Sequence, residues 1–321
     1  MQGVVHPPRI LSWLLVCRSR DVPVKGIRSL GELGYPIVLF RTAAGRLHAL
    51  SRHCTHMGSD LSLGRVVSDC LQCPLHRWEF DGEGECRRRP SGHALPAGAR
   101  QGSFPVVERH GAVFLFPAAA PAFPFPSLSE PDAHWTTTVG PPVRLSCSWK
   151  AIGANVFDME HLQSVHDRAL WSPPEVEQPH PHCLRLRYAT RITGEGLADR
   201  LIRWANQNRV EARIECWGGT VLVAENPSRR VRSVLLLGVL PLAEGVQVTP
   251  VFGIRRSGIP LLDRLRVRAA RALIQTFLDR DVRIMDGMVF HHSERLPDSE
   301  PLARYLAFLE QWEPPPAMRA R

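Results

Sequence analysis

Two short segments pair a cysteine with a histidine: Cys54-Thr55-His56 and, after sixteen intervening residues, Cys73-Pro74-Leu75-His76. Each offers one soft thiolate and one borderline imidazole on a tight loop, so two loops can close around one metal centre. Tetrahedral zinc is one occupant, but zinc fingers usually pair Cys with Cys and space their histidines by about three to five residues. One Cys and one His per loop, Cys first both times, suits a [2Fe–2S] cluster better, with one iron on two thiolates and the other on two imidazoles. Cys86 is a spectator by spacing. Cys70 competes formally, because Cys70-Leu71-Gln72-Cys73 is also a Cys-x-x-Cys.

A second constellation lies in Asn155-Val156-Phe157-Asp158-Met159-Glu160-His161-Leu162-Gln163-Ser164-Val165-His166. Its two histidines are five apart, an advance of about 500°, so on a regular α-helix they diverge by about 140°. Convergence on one ion requires a π-bulge or a break between them. The spacing therefore predicts an irregular helix here.

The segments Cys54-Thr55-His56-Met57-Gly58 and Cys73-Pro74-Leu75-His76-Arg77-Trp78 resemble the two cluster-binding loops of a Rieske iron–sulfur domain. Arg77 stands where that family commonly has glycine, which adds positive charge beside the cluster. Trp78 is expected to shield it from water. Asn-x-x-Asp-x-x-His-x4-His resembles the mononuclear iron motif of the Rieske non-heme iron oxygenases. Two independent motifs in the family's order are far more specific than either alone.

The resemblance implies that Cys54, His56, Cys73 and His76 hold the cluster, and that His161 and His166 are iron ligands. Asp158 would be the bridging acid, hydrogen-bonded to His161 and to His76 of a neighbouring subunit. Asn155 would lie near the iron. A facial triad needs a carboxylate as well, and the closing helical pattern offers Asp279, Asp281 and Asp286. On a helical wheel started at Leu262, Asp281 falls at about 100°, inside the apolar arc of Leu273, Phe277, Ile274, Met285 and Leu278. Asp279 and Asp286 fall on the polar side. A buried carboxylate is costly unless it meets a cation or a metal. Asp281 is therefore the expected third ligand.

These residues need elements to hold them. Residues 1–116 read as a β-rich module, with runs such as Ile37–Phe40, Leu47–Leu50 and Ala112–Phe116 separated by turn signals. Seven prolines fall among the 26 residues from Pro117 to Pro142, and this stretch, 117–142, reads as a linker without regular structure. Residues 143–321 read as a second domain. A strand enters a helix over Leu145–Val165, strand runs follow at Cys183–Ile192, Val210–Trp217, Val221–Ala224, Val231–Val239 and Gly245–Ile254, and a long helix starts after Pro260. The class is α+β. By resemblance it is an all-β Rieske domain followed by a helix-grip (START/Bet v 1-like) catalytic domain, its pocket lined from the strands between 183 and 254 and the start of the closing helix.

Composition narrows the partners. The net charge is +9, yet only Lys25 and Lys150 are lysines. Scattered arginines are weak evidence for nucleic acid, which is not expected to bind. Residues 1–116 carry 15 basic and 9 acidic side chains, a +6 surplus that could steer an acidic partner. No apolar run reaches the roughly 20 residues of a membrane span, and no signal-peptide pattern opens the chain; a cytoplasmic protein is expected. By resemblance, a ferredoxin or flavin reductase supplies electrons drawn only indirectly from NAD(P)H. O2 is the co-substrate at Fe(II), and a hydrophobic molecule, steroid-like or a natural-product intermediate, is hydroxylated, desaturated or oxidatively demethylated by a head-to-tail homotrimer. The branch resembled holds ketosteroid hydroxylases, cholesterol desaturases and methoxyaromatic demethylases, with monooxygenation favoured. The rival readings are an aromatic-ring dihydroxylating dioxygenase, an electron-transfer Rieske protein and a zinc-stabilised lipid-binding module.

Overall fold

The computed structural model describes residues 10–90, 98–227, 232–291 and 300–311. The chain divides into two compact units, one of residues 1–124 with 242–244 and one of the remainder. The division falls inside the proline-rich stretch.

The first unit is all β among its described residues. Strands β1 (Leu14–Arg18), β2 (Ile27–Ser29), β3 (Ile37–Arg41), β4 (Leu47–Ser51), β5 (Arg65–Val67), β6 (Cys70–Gln72), β7 (Glu79–Phe80), β8 (Cys86–Arg88), β9 (Ser103–Phe104), β10 (Val106–Arg109) and β11 (Ala112–Leu115) form three small antiparallel sheets. The orders are β1-β11-β10, β2-β3-β4-β9 and β5-β6-β7-β8. Alternating apolar residues put Val38, Phe40, Leu50, Leu71 and Phe80 into one core with Leu61, Cys54, Cys73 and Trp78. The cluster loops are thus anchored by their own cysteines.

The second unit is built on one antiparallel sheet of β12 (Trp135–Val139), β13 (Val143–Leu145), β14 (Arg168–Leu170), β15 (Glu175–His180), β16 (Cys183–Ile192), β17 (Val210–Trp217), β18 (Val221–Asn226), β19 (Ser233–Pro241) and β20 (Val246–Arg255). Its path runs β12-β20-β19-β18-β17-β16-β14, with β13 on β20 and β15 on β16. Helices α1 (Trp149–Phe157) and α2 (Met159–Ser164) follow β13, α3 (Leu197–Asn206) lies between β16 and β17, and α4 (Pro260–Met285) and α5 (Pro301–Glu310) close the chain. Apolar side chains of β16, β17, β19 and β20 share a core with α1, Met285 of α4 and Tyr305 and Phe308 of α5. Packing α5 this tightly needs Gly153, because a Cβ there would sit 2.2 Å from Tyr305 Oη. That hydroxyl donates to Lys150 O at 3.2 Å.

One sequence expectation is corrected here. Residues 117–142 do contain regular structure: Trp135–Val139 pairs antiparallel with Val251–Arg255. The prolines cluster on either side of this run, and Thr136-Thr137-Thr138 is β-branched, so the ladder loses no donor. Leu261, Leu262 and Leu265 are exposed while Asp263 is buried, accepting from Ser257 N and Oγ and paired with Arg266. The buried residues of α4 are Asp263, Val267 and Met285, so both of its ends are seated.

Candidate metal centres

The two cysteine–histidine loops are built alike. Cys54 N donates to Ser59 O and Gly58 N to Cys54 O, both at 2.8 Å; Cys73 N donates to Trp78 O at 2.8 Å and Arg77 N to Cys73 O at 3.1 Å. In each loop the fourth residue after the cysteine turns left-handed, Gly58 with φ of 74° and Arg77 with φ of 56°. The reversal tucks the cysteines in and leaves His56 and His76 exposed. The two imidazoles lie edge to face, centroids 4.6 Å apart, and Trp78 stacks on His56 at 4.3 Å. Gln101 locks the first loop: its Nε2 donates to Ser51 O and His53 O, and its Oε1 accepts from Thr55 N. Sequence spacing gave no signal for Gln101, which lies 46 residues from Thr55.

The donor spacing separates the two metal readings. Four ligands of one tetrahedral zinc lie about 3.4–3.8 Å apart. Among the described His, Cys, Asp and Glu residues, three donors come within 4.8 Å of one another at His161, His166 and Asp281, and no three of Cys54, His56, Cys73 and His76 do. The loops therefore fit a cluster wider than a single ion. Burial, with Cys73 beside it, pushes the Cys54 thiol up to about 11, so bound metal is what would hold that sulfur as a thiolate. Cys70 and Cys86 sit on the strands β6 and β8, outside both loops, and none of the eight cysteines is disulfide-bonded.

The second constellation arises where a helix is interrupted twice. Asp158 ends α1 and begins α2, its Oδ1 accepting from Glu160 N at 2.9 Å and His161 N at 3.1 Å. Then α2 stops at Ser164, Val165 and His166 form a turn, and Asp167 adopts a φ of 53° before β14. The break between the histidines is the irregularity their spacing demands. It is fixed from outside: Arg280 donates to Val165 O at 3.0 Å and Arg168 to His166 O at 2.9 Å.

His161 Nε2 and His166 Nε2 each lie 2.8 Å from Asp281 Oδ1 and 3.2 Å from each other. Ligands in adjacent positions of an octahedral ion at about 2.1 Å lie about 3.0 Å apart, against about 3.4 Å in a tetrahedron. The donor set thus fits one face of an octahedral cation. Burial pushes the Asp281 carboxyl up, but bonds from His161 and His166 hold it below the usual carboxylate range. His166 is 2% exposed, its Nδ1 has no partner among the described residues, and its ring lies flat on Phe277.

Asp279 and Asp286 stay outside this group: Asp279 accepts from Gln275 at 2.8 Å, and Asp286 caps α4 and accepts from Ser146. Asp158 is hydrogen-bonded to His161 through that residue's backbone amide. Asn155 lines a cavity with Asp281.

That cavity holds about 540 Å³ of empty space, in part open to solvent, between α1, β13, β19, β20 and the second half of α4. It draws on strands 19 and 20, but its helical wall is the end of α4, not the start expected from sequence. Ile152, Leu237, Val248 and Met285 make it largely apolar. A larger cleft elsewhere in this unit, lined by Glu130, Arg213 and Glu225 among others, shares no residue with it, and within it Arg213 pairs with Glu225 and Arg232 with Glu130.

The model of the Rieske [2Fe-2S] domain matches residues 12–99. Curated relatives include aminopyrrolnitrin oxygenase PrnD of Pseudomonas fluorescens, 32% identical over 170 residues (48% of this chain, 45% of that protein). The oxygenase component of 3-ketosteroid-9-alpha-monooxygenase of Rhodococcus rhodochrous is 31% identical over 161 residues (48% and 43%). The oxygenase component of dicamba O-demethylase of Stenotrophomonas maltophilia is 36% identical over 144 residues (42% and 41%). The matches span less than half the length of these relatives. The crystal structure of dicamba monooxygenase bound to dicamba has the same fold, with a TM-score of 0.70 at 21% identity, covering 98% of this chain and 100% of that one. No helix among the described residues is long and apolar enough to cross a membrane.

Proposed function

We propose that this chain, a member of the Rieske non-heme iron oxygenases, is an oxygenase component that uses O2 and externally supplied electrons to oxidise a hydrophobic organic molecule. The observation that carries the reading is the meeting of His161, His166 and Asp281, two imidazoles and one carboxylate within 3.2 Å, beside a largely apolar cavity. When bound, the cluster supplies single electrons and the mononuclear iron supplies the capacity to activate O2.

The chain's own residues divide the work. Cys54, His56, Cys73 and His76 would hold the cluster, with its two histidines at the protein surface. His161, His166 and Asp281 would hold the iron beside the cavity that Asp281 lines. The apolar walls offer water few partners, and Asn155 adds a polar amide to the lining that it shares with Asp281. Asp158 spends Oδ1 on capping α2, and no described residue donates to its Oδ2. That oxygen is available to an imidazole N–H, which supports its role as the acid that joins His76 of a neighbouring subunit in a ring of three. A ferredoxin or flavin reductase is the expected donor, steered by the arginine surplus of the first unit. The relatives' names cover a monooxygenase, a desaturase and a demethylase; monooxygenation of a steroid-like or natural-product skeleton is the reading favoured for this chain.

Anaerobic purification with metal and sulfide counting tests the proposal. The wild type should hold about three irons and two sulfides per chain, and Asp281→Ala about two irons with an unchanged cluster spectrum. Zinc without sulfide, or a full iron complement in Asp281→Ala, would overturn it.

A further inference from the structure

The cavity beside His161, His166 and Asp281 contains a buried acceptor that nothing answers. Gln275 lines it six residues before Asp281, about 9 Å along the axis of α4. Its Nε2 donates to Asp279 Oδ1 at 2.8 Å. An ionised carboxylate only accepts, so this bond fixes which end of the amide is which. The NH2 belongs to exposed Asp279, and Oε1 is the end left to the interior. That oxygen is shut off from solvent and has no donor among the described residues. A buried acceptor without a donor is costly, and a ligand that donates to it recovers the loss.

The rest of the lining narrows the ligand. Apart from Gln275, only Asn155 and Asp281 are polar, and no arginine, lysine or histidine lines the cavity. At the Gln275 end a carboxylate ligand would meet no cationic side chain among the described residues and would face an acceptor oxygen. A ligand whose polar atoms only accept would leave Gln275 as it stands. We infer that Gln275 is a specificity-determining residue that accepts a hydrogen bond from a hydroxyl or N–H on an otherwise apolar, uncharged substrate. This deepens the oxygenase reading and rests on it: the donor is held at the end of the cavity away from Asp281, so the apolar remainder extends toward the iron ligands.

Equilibrium binding to the cluster- and iron-loaded protein tests this with three probes of one skeleton: 2-naphthol, 2-methoxynaphthalene and 2-naphthoate. 2-Naphthol should bind about tenfold more tightly than its methyl ether, and 2-naphthoate, which Oε1 repels, should gain affinity in Gln275→Leu. Gln275→Leu should bring 2-naphthol down to the level of the ether. Asp279→Lys replaces the acceptor that fixes the amide by a donor, so Gln275 can turn its NH2 inward and the order of naphthol and ether should reverse. An unchanged order in either variant, or a wild type that binds all three alike or none of them, overturns the inference. Iron and sulfide counts on the same samples separate the two levels: a full complement without discrimination sinks the role of Gln275 alone, whereas missing iron sinks the oxygenase reading beneath it.

Discussion

The imidazole of His166 lies on the ring of Phe277 with centroids 3.5 Å apart and planes 9° from parallel. Histidines that bind metal usually donate their second N–H to a carboxylate or carbonyl, which fixes the ring. Here Nδ1 has no such partner among the described residues, and ring stacking fixes the plane instead. Phe277→Ala should therefore weaken iron retention by roughly 10- to 100-fold and leave the cluster spectrum intact. Iron content after timed exposure to a chelator measures it; retention equal to wild type would show that the stack is incidental.

Asp158 carries two separable duties. As the cap of α2 it accepts two backbone N–H bonds, and losing a cap costs about 1 kcal/mol. Asp158→Asn can still cap but cannot act as an anionic bridge, whereas Asp158→Ala loses both. Asp158→Asn should keep the thermal stability and both metals yet uncouple cluster oxidation from product formation. Asp158→Ala should in addition melt at lower temperature. Single-turnover product yield and calorimetry on both variants decide; full product from Asp158→Asn would refute the bridge.

Arg77 occupies a left-handed position, φ 56°, equivalent to Gly58 in the other loop. An L side chain there costs about 1 kcal/mol or more relative to glycine. Arg77→Gly should raise stability by about 1 kcal/mol and, by removing a positive charge next to the cluster, lower its midpoint potential. Arg77→Lys should retain the potential. Thermal melts and a redox titration test both; an unchanged potential in Arg77→Gly would remove electrostatics as the reason for arginine.

The Arg52 guanidinium donates to Asp60 Oδ2 through Nε at 2.9 Å and Nη2 at 2.6 Å, holding that carboxyl well below the usual range. A depressed folded value means the pairing stabilises fully above pH about 4 and fades as pH falls below it. The melting-temperature gap between wild type and Arg52→Met should be widest near neutrality and narrow on acidification below that range. A gap independent of pH would rule out the ion pair as its source.

Much of the candidate site could be read from residue type and spacing. Soft and borderline ligands announce themselves, five-residue histidine spacing demands a break, and a carboxylate inside an apolar arc stands out. Several of the elements holding those residues could not be read. The kink at Asp158 arises from side-chain capping inside what reads as one helix. Gln101 and Thr55 meet only because β9 folds back onto β4. Phe277 looks like any core aromatic until His166 is laid against it. The strand at Trp135–Val139 was masked by flanking prolines, whose restraint ends a residue or two beyond each ring. Local rules express one neighbourhood, and these features join two.

The proposed iron ligands come from chain positions up to 120 residues apart, whereas both cysteine–histidine loops are complete by residue 78. During synthesis on the ribosome the sulfide-bearing module can therefore be furnished while the carboxylate for the second metal is still untranslated. A ferrous ion in contact with air and half its ligands is a source of radical damage. If Asp281 holds the second metal as proposed, its place on α4 would delay that metal's residence until the strands before it have been made.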